Sequence, residues 1–181
     1  MTAAVSAGLL LLRLFVGLAI ASHGAQKAFG WFGGAGFSKM TAGFGRQGFK
    51  PGWLWVSFAV LGELGGGLSL AFGLLTPLGA AGVLGAMLMA ITKTHWNNGF
   101  FNSKRGIEYP TEYFFSALAL GFTGPGDYSL DKLFGINLPL WVFLVLGALA
   151  IITVFIGLVI SGGPTPATPS APSAPPAQKS V

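Results

Sequence analysis

Cysteine is absent from this chain of 181 residues, and charged residues are scarce. Without cysteine the chain forms no disulfide, carries no dithiol redox pair and offers no thiolate to a metal ion. Only 8% of its residues are charged, against roughly 25% in soluble domains. Ten basic and five acidic side chains are too few to coat a soluble globule. The sequence therefore predicts an integral membrane protein, whose partner is the lipid bilayer.

Several motifs of soluble proteins are missing as well. We find no nucleophile triad, no phosphate-binding glycine loop, no Rossmann fingerprint and no basic patch interleaved with aromatic residues. A soluble-enzyme mechanism and nucleic-acid binding are therefore unsupported. The excess of five positive charges comes mostly from two loops, so it bears on orientation in the membrane.

Long apolar runs are what the sequence contains instead. A helix needs about 20 apolar residues to cross a hydrocarbon core of roughly 30 Å. The runs predict spans over residues 7–29, 53–75, 77–94 and 107–123, with an additional span over 139–160. Thr76-Pro77 divides a charge-free run that is too long for one helix. The first run is interpreted as a retained span and not as a signal peptide, because no basic side chain precedes Arg13.

These spans predict an all-α polytopic transmembrane bundle. Residues 1–135 form its four-helix core, and 139–160 form an additional transmembrane helix that we expect to be dispensable for folding of the core. The Pro-rich residues 161–181 are predicted to be a disordered tail. Residues 30–52 predict an interfacial loop or short amphipathic helix. Small residues spaced four apart, such as Gly62 and Gly66, are predicted to pack helices within one chain.

Ionisable side chains inside the apolar runs are candidates for a functional site. A charge at a helix centre costs roughly 2.5–3.5 kcal/mol, so Arg13 and Glu63 each call for a partner. With the ends of the first two spans aligned as an antiparallel pair, Glu63 is expected level with Ala19, within reach of Arg13. We therefore predict an Arg13–Glu63 ion pair. It serves either to fix the helix register or to bind a ligand or proton.

A second polar layer is predicted nearer the membrane interface. The complete candidate intramembrane site comprises Arg13, His23, Lys27, Glu63, His95, Asn98 and Glu112. Snorkelling towards the interface explains Lys27 and Lys93 without a ligand. Two histidines and two carboxylates in the set have ligand types that suit a metal, but no pair has a motif spacing. No metal site is therefore predicted.

Short motifs in a fixed order resemble the DoxX family. In the first half they are Arg13 with Gly17, His23-Gly24, Lys27, Gly62-Glu63, residues 65–68 and residues 73–76. In the second half they are residues 95–101, Glu108-Tyr109 and residues 124–131. The resemblance covers residues 9–135 and implies a four-helix core in the bacterial cytoplasmic membrane.

Some members of that family are small subunits of quinone-linked thiosulfate oxidoreductases, which suggests a function. The hypothesis is a membrane subunit of a quinone-linked redox complex, in which the polar residues flank a quinone head group and relay protons. Since the chain has no electron-carrying motif, a partner subunit would deliver the electrons. The alternative is a non-catalytic scaffold that holds partner proteins in a redox or stress-related assembly. A transporter has less support, because no inverted repeat is detectable.

Basic residues predict the orientation of the chain. They are concentrated in the loops at residues 30–52 and 95–106, and none lies in the turn between the second and third spans. Both loops are therefore expected to face the cytoplasm.

Overall fold

The computed structural model describes residues 1–165. Its helices are α1 (Ala3–Phe29), α2 (Gly36–Arg46), α3 (Gly52–Phe72), α4 (Thr76–Asn98), α5 (Glu108–Thr123), α6 (Leu130–Leu133) and α7 (Leu140–Ser161). No β-strand occurs in this part of the chain. The predicted all-α polytopic bundle is confirmed.

Within residues 1–165, four helices are long and apolar enough to cross a membrane, namely α1, α3, α4 and α7. The predicted span over 107–123 forms a helix, α5, but this helix has 16 residues. It is therefore about 24 Å long, which is short of a hydrocarbon core of about 30 Å. The bundle needs no fifth full-length span. The predicted disordered tail lies almost entirely outside the described residues.

The turn between α3 and α4 lies at the predicted helix break, Thr76-Pro77. Gly73, with φ +62°, ends α3, and Thr76 and Pro77 open the first turn of α4. Proline suits this position because its missing N–H would have no helical partner there. Each arm also contains a π-helical segment, Leu61–Gly65 in α3 and Ala90–His95 in α4. Such segments are rare and are frequent at functional sites.

Glycines bring α1 and α3 into close contact. A Cβ atom on Gly24 would lie 2.3 Å from the backbone nitrogen of Leu64, and one on Gly17 would lie 2.5 Å from that of Ala71. No larger residue fits at either position without moving backbone. The same pattern joins α3 to α4, where a Cβ on Gly62 would lie 2.7 Å from the Gly82 carbonyl oxygen. The small residues therefore pack helices within the chain.

The register set by these glycines differs from the expected one. Glu63 lies level with Ala25 and not with Ala19, a displacement of about six residues or about 9 Å along the axis. The expectation assumed that α1 and α3 end at the same level. In the structure the first turns of α3 extend beyond Phe29 and pack against α2, so the two helices are offset.

The hydrophobic core surrounds α4 and includes side chains from α1, α3, α5 and α7. Its buried side chains are Ile20, Leu70, Ala80, Ala81, Val83, Leu84, Met87, Ala117, Leu120 and Phe143. Phe143 comes from α7 and is 2% exposed. A Cβ on Gly121 of α5 would lie 2.3 Å from the Phe143 ring. The division into a core and an additional helix remains a prediction, but α7 contributes to the same core.

The connections gather at two ends of the bundle. At the first, which we call the loop end, α2 lies beside the C-terminal ends of α1, α4 and α7. Asn97 donates to the Thr165 carbonyl there at 2.9 Å. At the other, the turn end, Ser6 of α1 donates to Asp127 at 2.6 Å. Both predicted basic loops lie at the loop end, and its location in the cytoplasm remains a prediction.

Candidate functional site: a groove beside a buried ion pair

A groove with a volume of about 930 Å³ lies against α3, α4 and α7. Most of its lining is apolar, and small residues form much of it, including Gly62, Gly66, Gly82 and Ala86. The short helix α2 contributes Met40 and Phe44 at the loop end. The turn-end part is lined by Leu68, Phe72, Leu75 and Leu78. The groove therefore follows the hairpin along much of its length.

Polar side chains line the groove at its loop end. They are Lys27, Gln47, Glu63, Thr94 and His95. Glu63 belongs to the π-helical segment of α3, and Thr94 and His95 belong to that of α4. Both π-helical segments therefore present polar groups to the same groove. This shape, apolar along its length and polar at one end, suits an amphipathic ligand.

Glu63 is paired with Lys27 and not with Arg13. The Lys27 ammonium donates to Glu63 Oε2, and the side chains are 23% and 6% exposed, respectively. The predicted Arg13–Glu63 pair is therefore wrong. The cause is the helix register, which moves Glu63 towards the C-terminal end of α1 and away from Arg13.

Arg13 lies instead at the turn end, fully buried. Its Nη2 donates to the Tyr128 carbonyl at 2.5 Å. A Cβ on Gly73 would lie 1.7 Å from Nη1, so a larger residue there would displace the guanidinium. Asp131 lies in the same region and accepts from Thr76 N at 3.0 Å and Thr76 Oγ1 at 2.8 Å. These contacts fasten residues 124–131 to the α3–α4 turn, which is a structural role.

One carboxyl outside the spans has a shifted pKa. The Ser6 hydroxyl donates to Asp127 and, with nearby positive charge, lowers the pKa of that carboxyl below its usual value. This contact joins α1 to the same turn-end segment. Asp127 therefore belongs with the structural contacts of Arg13 and not with the groove.

His95 is held by a backbone carbonyl. Its Nδ1 lies 2.6 Å from the Arg105 carbonyl oxygen. Asn98 donates to the same oxygen at 3.1 Å but does not line the groove. His95 and Asn98 therefore share one acceptor, and of the two only His95 lines the groove.

Two predicted site residues lie apart from the groove. His23 is exposed and contacts Gln26, 3.2 Å away. Glu112 is exposed on α5. Of the seven candidates, the structure brings Lys27, Glu63 and His95 to one groove. Within residues 1–165 no three histidine or acidic side chains gather as a metal site would require.

Lys93 has a role that the sequence did not indicate. It is 3% exposed, so the predicted snorkelling is wrong. Its ammonium donates to the carbonyls of Ser161, at 3.0 Å, and Gly163, and lies 5.5 Å from the centre of the Phe49 ring. Lys93 therefore caps the C-terminus of α7. The only sequence signal was Gly162-Gly163, which marks a helix end.

The fold defines the class of this chain, a multi-pass helical membrane protein. Within that class it belongs to the DoxX family, whose model matches residues 8–96. The inner membrane protein YqjF of Escherichia coli (strain K12) is 33% identical over 106 residues, which cover 55% of this chain and 79% of that protein. No solved structure matches the chain. The family match contains Lys27, Glu63 and His95, whereas α7 lies beyond it.

Proposed function

We propose that this protein is the membrane subunit of a quinone-linked redox complex and binds the quinone in the groove. The observation that carries the proposal is the groove itself, with the Lys27–Glu63 pair and His95 at one end. A quinone has a polar ring with two carbonyls and a long apolar tail. The two parts match the two parts of the groove.

The size and chemistry of the groove fit this ligand. Its volume of about 930 Å³ lies within the range of small-molecule sites. Lys27 and Gln47 can donate hydrogen bonds to ring oxygens, and the apolar residues towards the turn end can hold the tail. The groove lining includes Leu61 and Phe72, which are 67% and 54% exposed. The groove is therefore open at its side, and a ligand can enter it from the bilayer.

A bound quinone supplies electron transfer coupled to proton transfer. The residues of this chain bind it and hold protons. Glu63 uses Oε2 for Lys27, and Oε1 has no hydrogen-bond partner among the residues described. A carboxylate beside a ligand ring can accept and release a proton there. The electrons come from a partner subunit, since the chain carries no electron-transfer motif.

A second candidate is the non-catalytic scaffold, with the groove as a seat for a transmembrane helix of a partner protein. The observation that favours it is Gly65, which lines the groove and has open space on its Cα. Small residues allow two helices to approach closely in a membrane. The experiment below separates the two functions.

Gly65→Leu tests the proposal because the new side chain fills the groove without meeting backbone. Gly8→Leu is the matched control, because Gly8 is also exposed, helical and free of neighbours, but lies outside the groove. Quenching of tryptophan fluorescence by decylubiquinone, added to the detergent-purified protein, measures binding. We expect Gly65→Leu to weaken binding by about tenfold or more and Gly8→Leu to leave it unchanged.

Equal binding by the two variants, or no binding by the unmodified protein, would overturn the quinone proposal. A protein that co-purifies with the unmodified chain and is lost only with Gly65→Leu, in the absence of quinone binding, would establish the scaffold instead.

A further inference from the structure

The hydrogen-bonding state of His95 is set by its contact with the loop that follows α4. A carbonyl oxygen only accepts, so the Nδ1 atom that lies 2.6 Å from the Arg105 oxygen must carry hydrogen. In the neutral imidazole the lone pair is then on Nε2. No hydrogen bond to Nε2 is present within residues 1–165. His95 lines the groove, so this acceptor is left for a ligand.

The Arg105 carbonyl is itself held in place. Asn98 donates to the same oxygen at 3.1 Å, so both of its lone pairs are engaged. Arg105 has φ +59°, a conformation that residues other than glycine seldom adopt. A Cβ on Gly106 would lie 2.3 Å from the Gly99 carbonyl oxygen, so the loop packs tightly on itself. The loop therefore fixes the ring of His95 in one tautomer.

The other ionisable groups of the groove differ from His95 in what they offer. The Lys27 ammonium can only donate, and one of its three N–H groups is engaged by Glu63. The Glu63 carboxylate can only accept, and Lys27 holds one of its oxygens. Neutral His95 adds an acceptor, Nε2, that no side chain within residues 1–165 occupies. Glu63 Oε1 and His95 Nε2 are thus two acceptors in the groove that suit hydroxyl groups of a ligand.

We propose that His95 makes the groove selective for a ligand whose head group bears a hydroxyl, by accepting a hydrogen bond at Nε2. The inference rests on the proposed function and specifies it, since a quinol has hydroxyls where the quinone has carbonyls. A carbonyl head group facing neutral Nε2 places two acceptors together and forms no hydrogen bond. The reduced ligand is therefore the tighter-binding form.

His95→Asn is the test variant, with His23→Asn as the matched control on the other histidine. The asparagine amide can still donate to the Arg105 carbonyl but has no atom in place of Nε2. Affinities for decylubiquinol and decylubiquinone are measured separately under argon by tryptophan quenching, at about pH 8, where free imidazole is neutral. The ratio of the two affinities within each variant is the readout, because a general loss of folding or groove shape lowers both.

We expect the unmodified protein and His23→Asn to bind the quinol about tenfold more tightly than the quinone, the worth of one hydrogen bond. The ratio should fall to about one in His95→Asn. His95→Gln provides a second variant, since its amide can donate or accept after rotation and should also give a ratio near one. Equal affinities in the unmodified protein, or a quinol preference that survives both substitutions, would overturn the role of His95 and leave quinone binding standing. No binding of either form would reject both.

Discussion

Glu63 is a buried carboxylate, so its stability depends on a partner of opposite charge. Its side chain is 6% exposed, and Lys27 supplies the compensating charge from the C-terminal part of α1. Removing two ions from water costs several kcal/mol each, and their attraction repays this only while both are present. Substituting one residue of the pair should therefore destabilise the protein more than substituting both.

Glu63→Gln and Lys27→Met should each lower stability by about 3 to 5 kcal/mol, because each leaves one uncompensated charge. The double variant should recover part of this loss, and the double-mutant cycle gives the coupling energy. Thermal unfolding in mild detergent measures all three. Glu112→Gln is the control, since that carboxylate is exposed on α5 and should change stability little. Strictly additive losses would show that the two residues are not coupled.

Residue chemistry alone singled out three residues that the structure places along the groove, Lys27, Glu63 and His95. It did not identify their partners. An ion pair between two helices depends on their register to within one turn. Here close contacts of Gly17 and Gly24 with α3 fix the register, and the sequence alone does not show which residues of α3 they meet. Lys93 was misjudged for a similar reason, since its partners are carbonyls 68 and 70 residues away.

The helices themselves were predicted closely, because apolar runs and breakers are local signals. The amphipathic segment predicted within residues 30–52 is α2, Gly36–Arg46. The π-helical segments were not foreseen, since no local residue pattern specifies them. They matter because both supply polar groups to the groove, and this joins the geometry of α3 and α4 to the proposed function.

The C-terminal end of α7 depends on Lys93, and this gives a prediction for one element. A helix C-terminus has carbonyls without helical partners, and a cation placed there stabilises it. Lys93→Met keeps the apolar stem and removes the ammonium from Ser161 and Gly163. Hydrogen exchange should then become faster for amides in the last turn of α7, by about tenfold or more for hydrogen bonds to a charged group.

Lys39→Met is the matched control for that measurement, because Lys39 is exposed on α2. Exchange in α7 should be unchanged in the control. If the last turn of α7 keeps its protection in Lys93→Met, the ammonium contributes nothing to the helix end.

At the scale of the whole molecule, charge and hydrogen bonding divide the two ends of the bundle. The turn end is closed by Arg13, Asp127 and Asp131 through contacts within the chain. The loop end carries the basic loops and the polar end of the groove. Under the positive-inside rule we expect this end to face the cytoplasm. The proposed ligand head group would then lie on the side from which a soluble electron donor approaches.

Truncation after Gly135 tests how far the rest of the molecule depends on α7. The sequence led us to expect that the core folds without this helix, and α1, α3 and α4 keep their own spans. The packing now indicates a loss of stability. Lipid can replace the apolar contacts of Phe143, because lipid tails are as apolar as the side chains they cover. It cannot replace the Ser161 carbonyl that holds Lys93.

The truncated protein should therefore insert into the membrane and unfold at a lower temperature in mild detergent than the full chain. Most of that loss should come from the buried ammonium, whose unmet hydrogen bonds cost about 1 to 3 kcal/mol or more. Lys93→Met in the truncated chain should then restore much of the stability, although the same substitution destabilises the full chain. The opposite effect of Lys93→Met on stability in the two chains distinguishes loss of the Lys93 hydrogen bonds from loss of the apolar packing of α7. Equal unfolding temperatures for the truncated and full chains would instead show that α7 is dispensable, and a truncated chain that Lys93→Met fails to rescue would place the loss in the contacts of Phe143.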